Sequence, residues 1–167
     1  MAIGRVPLSV REPVLQSWQR SASSGITSLK SAPKLGESEL VAHRQEARRL
    51  RLGARAALQK AGYLLNHTGN MLLLCSNSGV VLDVAGDEVT QARGRENHLH
   101  VGGRWSESSI GTNAIGTAIH LRRPIQVEQR RALLRGNPPL ELCRHADHRS
   151  RRRQTARHCR YILAERR

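Results

Sequence analysis

The sequence predicts a fold that mixes helices with β-strands, and three segments indicate it. Residues 37–66 repeat apolar side chains at helical spacing. Residues 70–88 hold two short apolar runs joined by turn residues, which is typical of a β-hairpin. Residues 110–119 return to a helical pattern. One domain suits the 167 residues, because single domains commonly run roughly 100 to 200 residues.

The first predicted element is a short amphipathic helix at residues 11–21, REPVLQSWQRS. Pro13 suits a first helical turn, and Val14 and Trp18 stand four residues apart on one face. Residues 21–38 are rich in Ser, Gly and Pro and lack periodicity. They are predicted to form a loop or linker.

The second element is one long helix over residues 37–66. Its apolar face carries Leu40, Ala47, Leu50, Ala54, Leu58, Ala61 and Leu65. A second stripe, Arg44, Arg48, Arg51 and Arg55, is interpreted as a solvated face. Gly53 costs about 1 kcal/mol relative to alanine inside a helix, which predicts a packing reason or a weak point there. We also expect this helix to be a dimer contact.

The third element is a hairpin whose turn is centred on residues 77–79. Asp83 and Asp87 flank its second strand. Two carboxylates could serve metal or acid chemistry, but single acids beside strand ends are more often turn formers, and this is the prediction.

A polar, glycine-bearing segment, residues 91–109, is predicted to cross over the sheet as a loop. The helix at residues 110–119 follows, Pro124 ends it, and residues 125–127 resume a strand. Gly111 and Gly116 permit close backbone approach. Asn113 and Thr117 share a helical face, where they either bind a ligand or satisfy neighbouring loop backbone.

These segments together resemble the amino-terminal sensory region of sigma-54-dependent transcriptional activators of the acetoin catabolism regulator type. The resemblance spans residues 11–127, and its most specific part is GGRWSESSIGTNAIGTAIHLRRPIQV. It implies an incomplete GAF-like α+β domain, with an antiparallel sheet, helices on one side and a pocket for a small effector under the crossover loop. Trp105, Asn113 and Thr117 are the candidate lining residues.

Full-length relatives carry in addition a AAA+ ATPase and a Fis-type helix-turn-helix. This sequence contains no Gly-x-x-x-x-Gly-Lys-Ser/Thr phosphate loop. No nucleophile, base and orienting group cluster recognisably either. The predictions are therefore a protein that is not an enzyme, no cofactor, and no specific DNA binding by this fragment.

The basic charge is concentrated after residue 129. Residues 130–167 hold 12 of the 28 lysines and arginines and 3 of the 13 acids, so they supply +9 of the net charge of +15. Cys143, His145, His148, His158 and Cys159 fit no familiar tetrahedral spacing, and no metal is expected. A small basic nucleic-acid-binding protein is the alternative function, because dense arginine binds phosphate.

The family pattern stops near residue 129, and a one-nucleotide slip accounts for it. Read one position later, residues 131–134 can encode the family's Glu-His-Phe motif, and residues 140–150 its Trp-Ser-Cys-Ala and Pro-Ile-x-Asp segments. Residues 155–161 can encode Leu-Leu-Gly-Ile-Val-Asp. The segment is interpreted as an out-of-frame, disordered tail, and two origins stay open: a truncated, non-functional remnant or a sequencing error. The predicted divisions are 1–36 for the first helix and linker, 37–129 for the partial sensor domain, and 130–167 for the tail.

The remaining expectations concern location. Three cysteines form no framework, and no charged-then-apolar leader opens the chain, so a cytoplasmic protein is predicted. No apolar run approaches the roughly 18 residues that span a bilayer.

Overall fold

The computed structural model describes residues 11–26, 31–125 and, for the backbone alone, 160–162. It confirms the α+β class. The elements in chain order are α1 (Glu12–Ser23), α2 (Glu37–Glu46), α3 (Arg48–Leu64), β1 (Met71–Cys75), β2 (Val81–Gly86), α4 (Glu88–Glu96), α5 (Glu107–Ile110), α6 (Ala114–Leu121) and β3 (Arg160–Ile162).

The sheet is built around β1, and its strand order is β2-β1-β3. β1 and β2 are antiparallel and form the predicted hairpin, whose turn closes with Gly79 at a φ of 80°. All five residues of β1 are buried. Because strand side chains alternate between faces, this burial requires cover on both sides of the sheet.

Each face of the sheet has its own apolar cluster. On one face Met71, Leu73 and Cys75 pack with Trp105, with Ile110 of α5 and with Ile115 of α6. On the other, Val80 and Leu82 pack with Ala47, between α2 and α3, and with Leu50 of α3. Helices therefore cover both faces, whereas the resemblance implied helices on one side. The difference arises because α5 and α6 fold back over the face that β1 would otherwise expose.

The long helix predicted over residues 37–66 is in fact two helices, α2 and α3, separated at Ala47. Ala47 is buried among the residues that cover the sheet, and its backbone leaves helical geometry at φ −85° and ψ 16°. The single-helix prediction was wrong because the apolar repeat continues across this break. The dimer contact proposed for this region stays a prediction.

A bulge in β2 determines which groups of the sheet hydrogen-bond to α2 and α3. Leu74 pairs with Asp83 and Cys75 with Val81, so Leu82 is an extra residue between them. Asp83 consequently points to the helix side, where Arg51 donates two hydrogen bonds to it at 2.7 and 2.9 Å. Asp83 is therefore an ion-pair partner inside a strand, and the turn-former prediction was wrong for it.

The arginine stripe divides accordingly. Arg44 donates to the Leu82 carbonyl at 2.8 and 3.2 Å, and its side chain, like that of Arg51, is 34% exposed. The solvated-face interpretation was wrong for these two residues, because Arg44 hydrogen-bonds to the backbone of the bulge and Arg51 pairs with Asp83 beside it. It is confirmed for Arg48 and Arg55, which are exposed.

Two further predictions need correction after the hairpin. Residues 91–96, predicted as loop, belong to α4, which Asp87 begins by accepting hydrogen bonds from the Thr90 amide at 2.9 Å and hydroxyl at 2.7 Å. Asp87, predicted as a turn former at the end of a strand, is therefore the N-cap of a helix. The helix predicted over residues 110–119 is broken into α5 and α6 at Gly111, where φ is 81°.

Other predictions hold or fall outside the described residues. α1 is confirmed, and residues 31–36 are a loop as predicted, although Ala32 and Leu35 are buried in the core. The strand predicted at residues 125–127 lies outside the described residues beyond Ile125, as does the tail except for β3.

β3 pairs parallel with β1 through residues 160–162. A ladder is made by main-chain groups, and the edge of β1 away from β2 offers them to an extended segment. The division of the chain near residue 129 stays a prediction.

Candidate functional site

A groove of about 600 Å³ lies where α1, the hairpin turn and the α5–α6 segment meet. It is open to solvent, and most of the residues that line it are polar, with several serines among them. Its lining residues are Arg20, Ser24, Asn77, Ser78, Arg104, Ser106, Glu107, Ser108, Ser109, Gly116, Ile119 and His120.

Two backbone features bring the groove's walls together. The Trp105 amide donates a hydrogen bond to the Gly79 carbonyl at 2.7 Å, which joins the hairpin turn to the segment that leads into α5. A Cβ on Gly79 would lie 2.7 Å from the Ser106 nitrogen. A Cβ on Gly116 would lie 2.6 Å from the Glu107 nitrogen, so the predicted close approach at Gly116 is confirmed.

An ion pair fastens α1 to this wall. Arg20 donates from Nε to Glu107 Oε2 at 2.7 Å and from Nη2 to Oε1 at 2.9 Å. Ser17 adds a hydrogen bond to Glu107 Oε1 at 2.6 Å. The Glu107 side chain is 10% exposed and that of Arg20 is 28% exposed. The pair is therefore shielded well enough for its charge-assisted bonds to matter.

A cluster of buried hydroxyls lies beneath the ion pair and is called here the hydroxyl cluster: Ser17, Ser21, Thr112 and Thr117. Ser17 Oγ is 2.9 Å from Thr112 Oγ1 and 3.1 Å from Thr117 Oγ1, and Ser21 Oγ is 3.2 Å from Thr112 Oγ1. All four residues are buried. Small hydroxyl side chains let α1 approach α6 closely, and their mutual bonds avoid buried unsatisfied groups.

The charge state of Glu107 follows from these contacts. Burial alone would raise its pKa, but hydrogen bonds from Arg20, Ser17 and Thr117, with the positive charge of Arg20, hold the pKa below its ordinary value of 4.5. Glu107 is therefore ionised at neutral pH, and its bond with Arg20 is a full ion pair.

The three predicted ligand-lining residues lie around the groove but outside its lining. Trp105 is 4% exposed in the core, and its Nε1 donates to the His98 carbonyl at 3.1 Å. Asn113 caps α6, accepting from the Gly116 amide at 2.9 Å and donating to the Gly111 carbonyl at 2.8 Å. Thr117 belongs to the hydroxyl cluster. Asn113 and Thr117 are thus brought together beside Gly116, Trp105 is apart from them, and ligand binding by the three stays a prediction.

Sequence reasoning missed the residues that build this site. Ser17 and Ser21 follow Val14 on α1 at steps of three and four residues, and this helical spacing beside an apolar residue was the available signal. Arg20 and Glu107 gave no signal, because 87 residues separate them.

Two further observations concern the described residues. They contain no group of three or more His, Cys, Asp or Glu side chains placed to hold a metal ion. Nor does any helix among them have the length and apolar character needed to cross a membrane.

The fold and site define a small α+β domain with a groove beside α1, and the fold is found in a solved structure. The chain superposes on the crystal structure of the E. coli DhaR(N)-DhaL complex with a TM-score of 0.64 and 15% identity, covering 74% of this chain and 42% of that one. The fold is therefore that of DhaR(N). No protein-family model matches the chain.

Curated relatives identify the homologous proteins. The chain is 28% identical over 121 residues to the acetoin dehydrogenase operon transcriptional activator AcoR of Bacillus subtilis, covering 71% of this chain and 20% of AcoR. It is 29% identical over 119 residues to the acetoin catabolism regulatory protein of Cupriavidus necator, covering 70% of this chain and 18% of that protein. An uncharacterized 47.3 kDa protein of Rhodococcus erythropolis is 30% identical over 122 residues, covering 71% and 27% respectively.

The chain is homologous to these acetoin regulators, and the resemblance to the sensory region of sigma-54-dependent activators is confirmed. It spans between 18% and 27% of the length of the curated relatives. One of these relatives is named as a transcriptional activator and another as a regulatory protein.

Proposed function

We propose that this chain is the signal-sensing, GAF-like portion of a sigma-54-dependent transcriptional activator. The observation that supports this most strongly is the similarity to two acetoin regulators across some 70% of the chain, on a fold shared with DhaR(N). In this family, polymerase remodelling and DNA binding belong to other domains, so the proposed role of this portion is to detect a signal and to alter its own packing in response.

The proposed position of a small effector is the groove beside α1. Its volume of about 600 Å³ is within the range of roughly 300 to 1,000 Å³ typical of small-molecule sites. Arg20 and Glu107 line it and also hold α1, so an occupant that hydrogen-bonds to either would change how firmly α1 is docked. Asn113 and Thr117 flank Gly116 and would support the groove from below, while Trp105 would hold the wall in place.

Acetoin is the probe for this proposal, because two relatives are named for it. Titration of the ¹⁵N-labelled full chain should shift the amide resonances of Ser78, Ser106 and His120, and hydrogen exchange in α1 should change with them. Ser78→Trp should abolish the shifts by filling the groove. Ser38→Trp is the matched control, since Ser38 is exposed on α2 and does not line the groove. Saturable shifts confined to other surfaces would contradict the groove assignment.

A protein can also deliver a signal to such a domain. DhaR(N) was crystallised in complex with DhaL, and a protein partner is therefore a second class of signal that we propose to test for this chain.

The nucleic-acid alternative has one favourable observation, the net charge of +15. Two arginines of the proposed binding stripe, Arg44 and Arg51, are already occupied by Leu82 and Asp83. Comparing DNA binding by the full chain and by a chain ending at Gln129, across a salt series, tests it. Sequence-selective, salt-tolerant binding by the shorter chain would favour this alternative over sensing.

We further propose that the segment from about Arg130 is read out of frame, as either a non-functional remnant or the result of a sequencing error. Support comes from the three family motifs that reappear, in order, when the segment is read one nucleotide later. Resequencing the locus through the codons for residues 127–135 tests this directly. A verified reading frame without an insertion or deletion would contradict it.

A further inference from the structure

The face of α3 that points away from the sheet carries two large apolar side chains that are exposed to solvent. The side of α3 that carries Leu50, Ala54 and Leu58 lies against the sheet and is partly buried. On the opposite side Leu52 is 59% exposed and Tyr63 is 85% exposed. Leu52 and Tyr63 are two of the five large apolar side chains that are exposed among the described residues, and both lie on this free face, where a partner could cover them.

The spacing on this face is that of a helix-pairing seam. Leu52, Ala56, Gln59 and Tyr63 follow one another at steps of four, three and four residues. This is the a and d spacing at which a second helix inserts its side chains. We call these four residues the α3 seam.

The seam is bordered by positive charge alone. Arg48, Arg55 and Lys60 occupy the flanking positions, Arg49 lies at one end, and all four are exposed. α3 contains no Asp or Glu, and of its five cations Arg51 binds Asp83 on the sheet side. Within residues 11–26 and 31–125, the recorded ion pairs include none with the four outward cations.

We propose that the α3 seam is a docking surface for an amphipathic helix of a partner protein that carries Asp or Glu beside an apolar stripe. The apolar centre fits Leu-type side chains, and the cationic borders fit carboxylates at the partner's e and g positions. This inference goes beyond the proposed function, since it concerns a surface outside the groove.

Three other occupants fit less well. A second copy would set cations against cations across the seam, which is destabilising. Nucleic acid offers phosphates to the borders but leaves Leu52 and Tyr63 facing a charged backbone. A membrane would gain less apolar burial from these two side chains than from one myristoyl chain, which itself gives only marginal binding.

The test uses the full chain and a labelled three-heptad helical peptide with Leu at a and d and Glu at e and g, measured by fluorescence anisotropy. Two control peptides replace Glu with Lys, or Leu with Ser, and the second measures attraction by charge alone. We expect the Leu/Glu peptide to bind at least about tenfold more tightly than either control, and its affinity to fall at high salt.

Charge reversal then locates the site. Arg55→Glu with Lys60→Glu should weaken binding about tenfold. Arg93→Glu with Arg95→Glu on α4 makes the same change in net charge at exposed positions outside α3, and it should leave the extra affinity for the Leu/Glu peptide unchanged. Far-UV circular dichroism checks that both variants fold, and Leu52→Ser is a second seam variant that keeps all charges.

Several results would overturn the proposal. Equal weakening by both charge reversals would mean that net charge alone attracts the peptide. A wild-type dimer in sedimentation equilibrium that Leu52→Ser dissociates would assign the seam to a second copy. Binding to duplex DNA or to phosphatidylserine vesicles, lost only in the Arg55/Lys60 variant while the peptide fails to bind, would assign it to a polyanion or a lipid surface.

Discussion

Replacing Glu107 tests how α1 is held, because one carboxylate takes up the strongest bonds between this helix and the rest of the domain. Its oxygens accept from Arg20 at 2.7 and 2.9 Å and from Ser17 at 2.6 Å. Removing one partner of a fully buried ion pair costs about 3 to 5 kcal/mol. Since the Arg20 side chain is 28% exposed and can reach water, we expect about 2 to 3 kcal/mol for Glu107→Ala.

A double-mutant cycle separates the pair from other effects of the substitutions. Arg20→Ala, Glu107→Ala and the double variant are unfolded with urea at pH 7, and the coupling free energy should be about 1.5 to 2 kcal/mol. Arg104 and Glu39 are the matched control, the same residue types 3.1 Å apart but with side chains 37% and 57% exposed. Their coupling should be no more than about 0.5 kcal/mol.

The pH dependence has a definite sign. The pKa of Glu107 is lowered in the folded chain from its ordinary value of 4.5. The ion pair therefore contributes its full stabilisation above pH 4.5, and the contribution is lost as the pH falls through the folded pKa. The difference in unfolding free energy between wild type and Glu107→Gln should shrink accordingly. A coupling near zero at pH 7, or one that stays constant down to pH 3, would refute the role assigned to this pair.

Three further predictions follow from the glycines and the buried cysteine. Gly53→Ala should raise the free energy of unfolding by about 0.5 to 1 kcal/mol, because no atom lies within 4 Å of the added Cβ. Gly116→Ala on α6 is the contrasting variant and should destabilise the chain, because its Cβ would lie 2.6 Å from the Glu107 nitrogen. Equal effects of the two variants in thermal or urea unfolding would contradict the close contact at Gly116. Gly79→Ala should lower the free energy of unfolding by at least about 2 kcal/mol, since it combines a φ of 80° with a Cβ 2.7 Å from the Ser106 nitrogen. Gly25→Ala, at a φ of 72° in open space, should lower it by only about 1 kcal/mol. A Gly79 variant as stable as the Gly25 variant in urea unfolding would rule out the close contact. Burial raises the pKa of the Cys75 thiol to about 12, so iodoacetamide at pH 8 should modify Cys75 only as fast as the chain opens; mass spectrometry of the digested protein measures this, and rapid labelling of the native chain would show that Cys75 is not buried.

The elements that the sequence predicted correctly are those whose signals are local. Pro13 with the apolar spacing after it predicts α1, and the Ser-Asn-Ser-Gly turn between two apolar runs predicts β1 and β2. Each of these signals lies within a few consecutive residues, where backbone preference and the spacing of apolar side chains determine the local structure directly. The family resemblance likewise depends on a contiguous stretch of residues, and the comparisons confirm it.

The breaks, the bulge and the groove were decided by tertiary structure. Ala47, at the break between α2 and α3, fits the apolar repeat of the residues on either side, so the sequence does not show that a helix ends there. Only the packing of Ala47 with Val80 and Leu82 reveals the break. Asp83 faces the helices only because Leu82 is an extra residue in β2. Ser17 and Thr117 meet across 100 residues of sequence. No local pattern encodes such contacts, because each depends on the register and packing that the whole chain reaches when it folds.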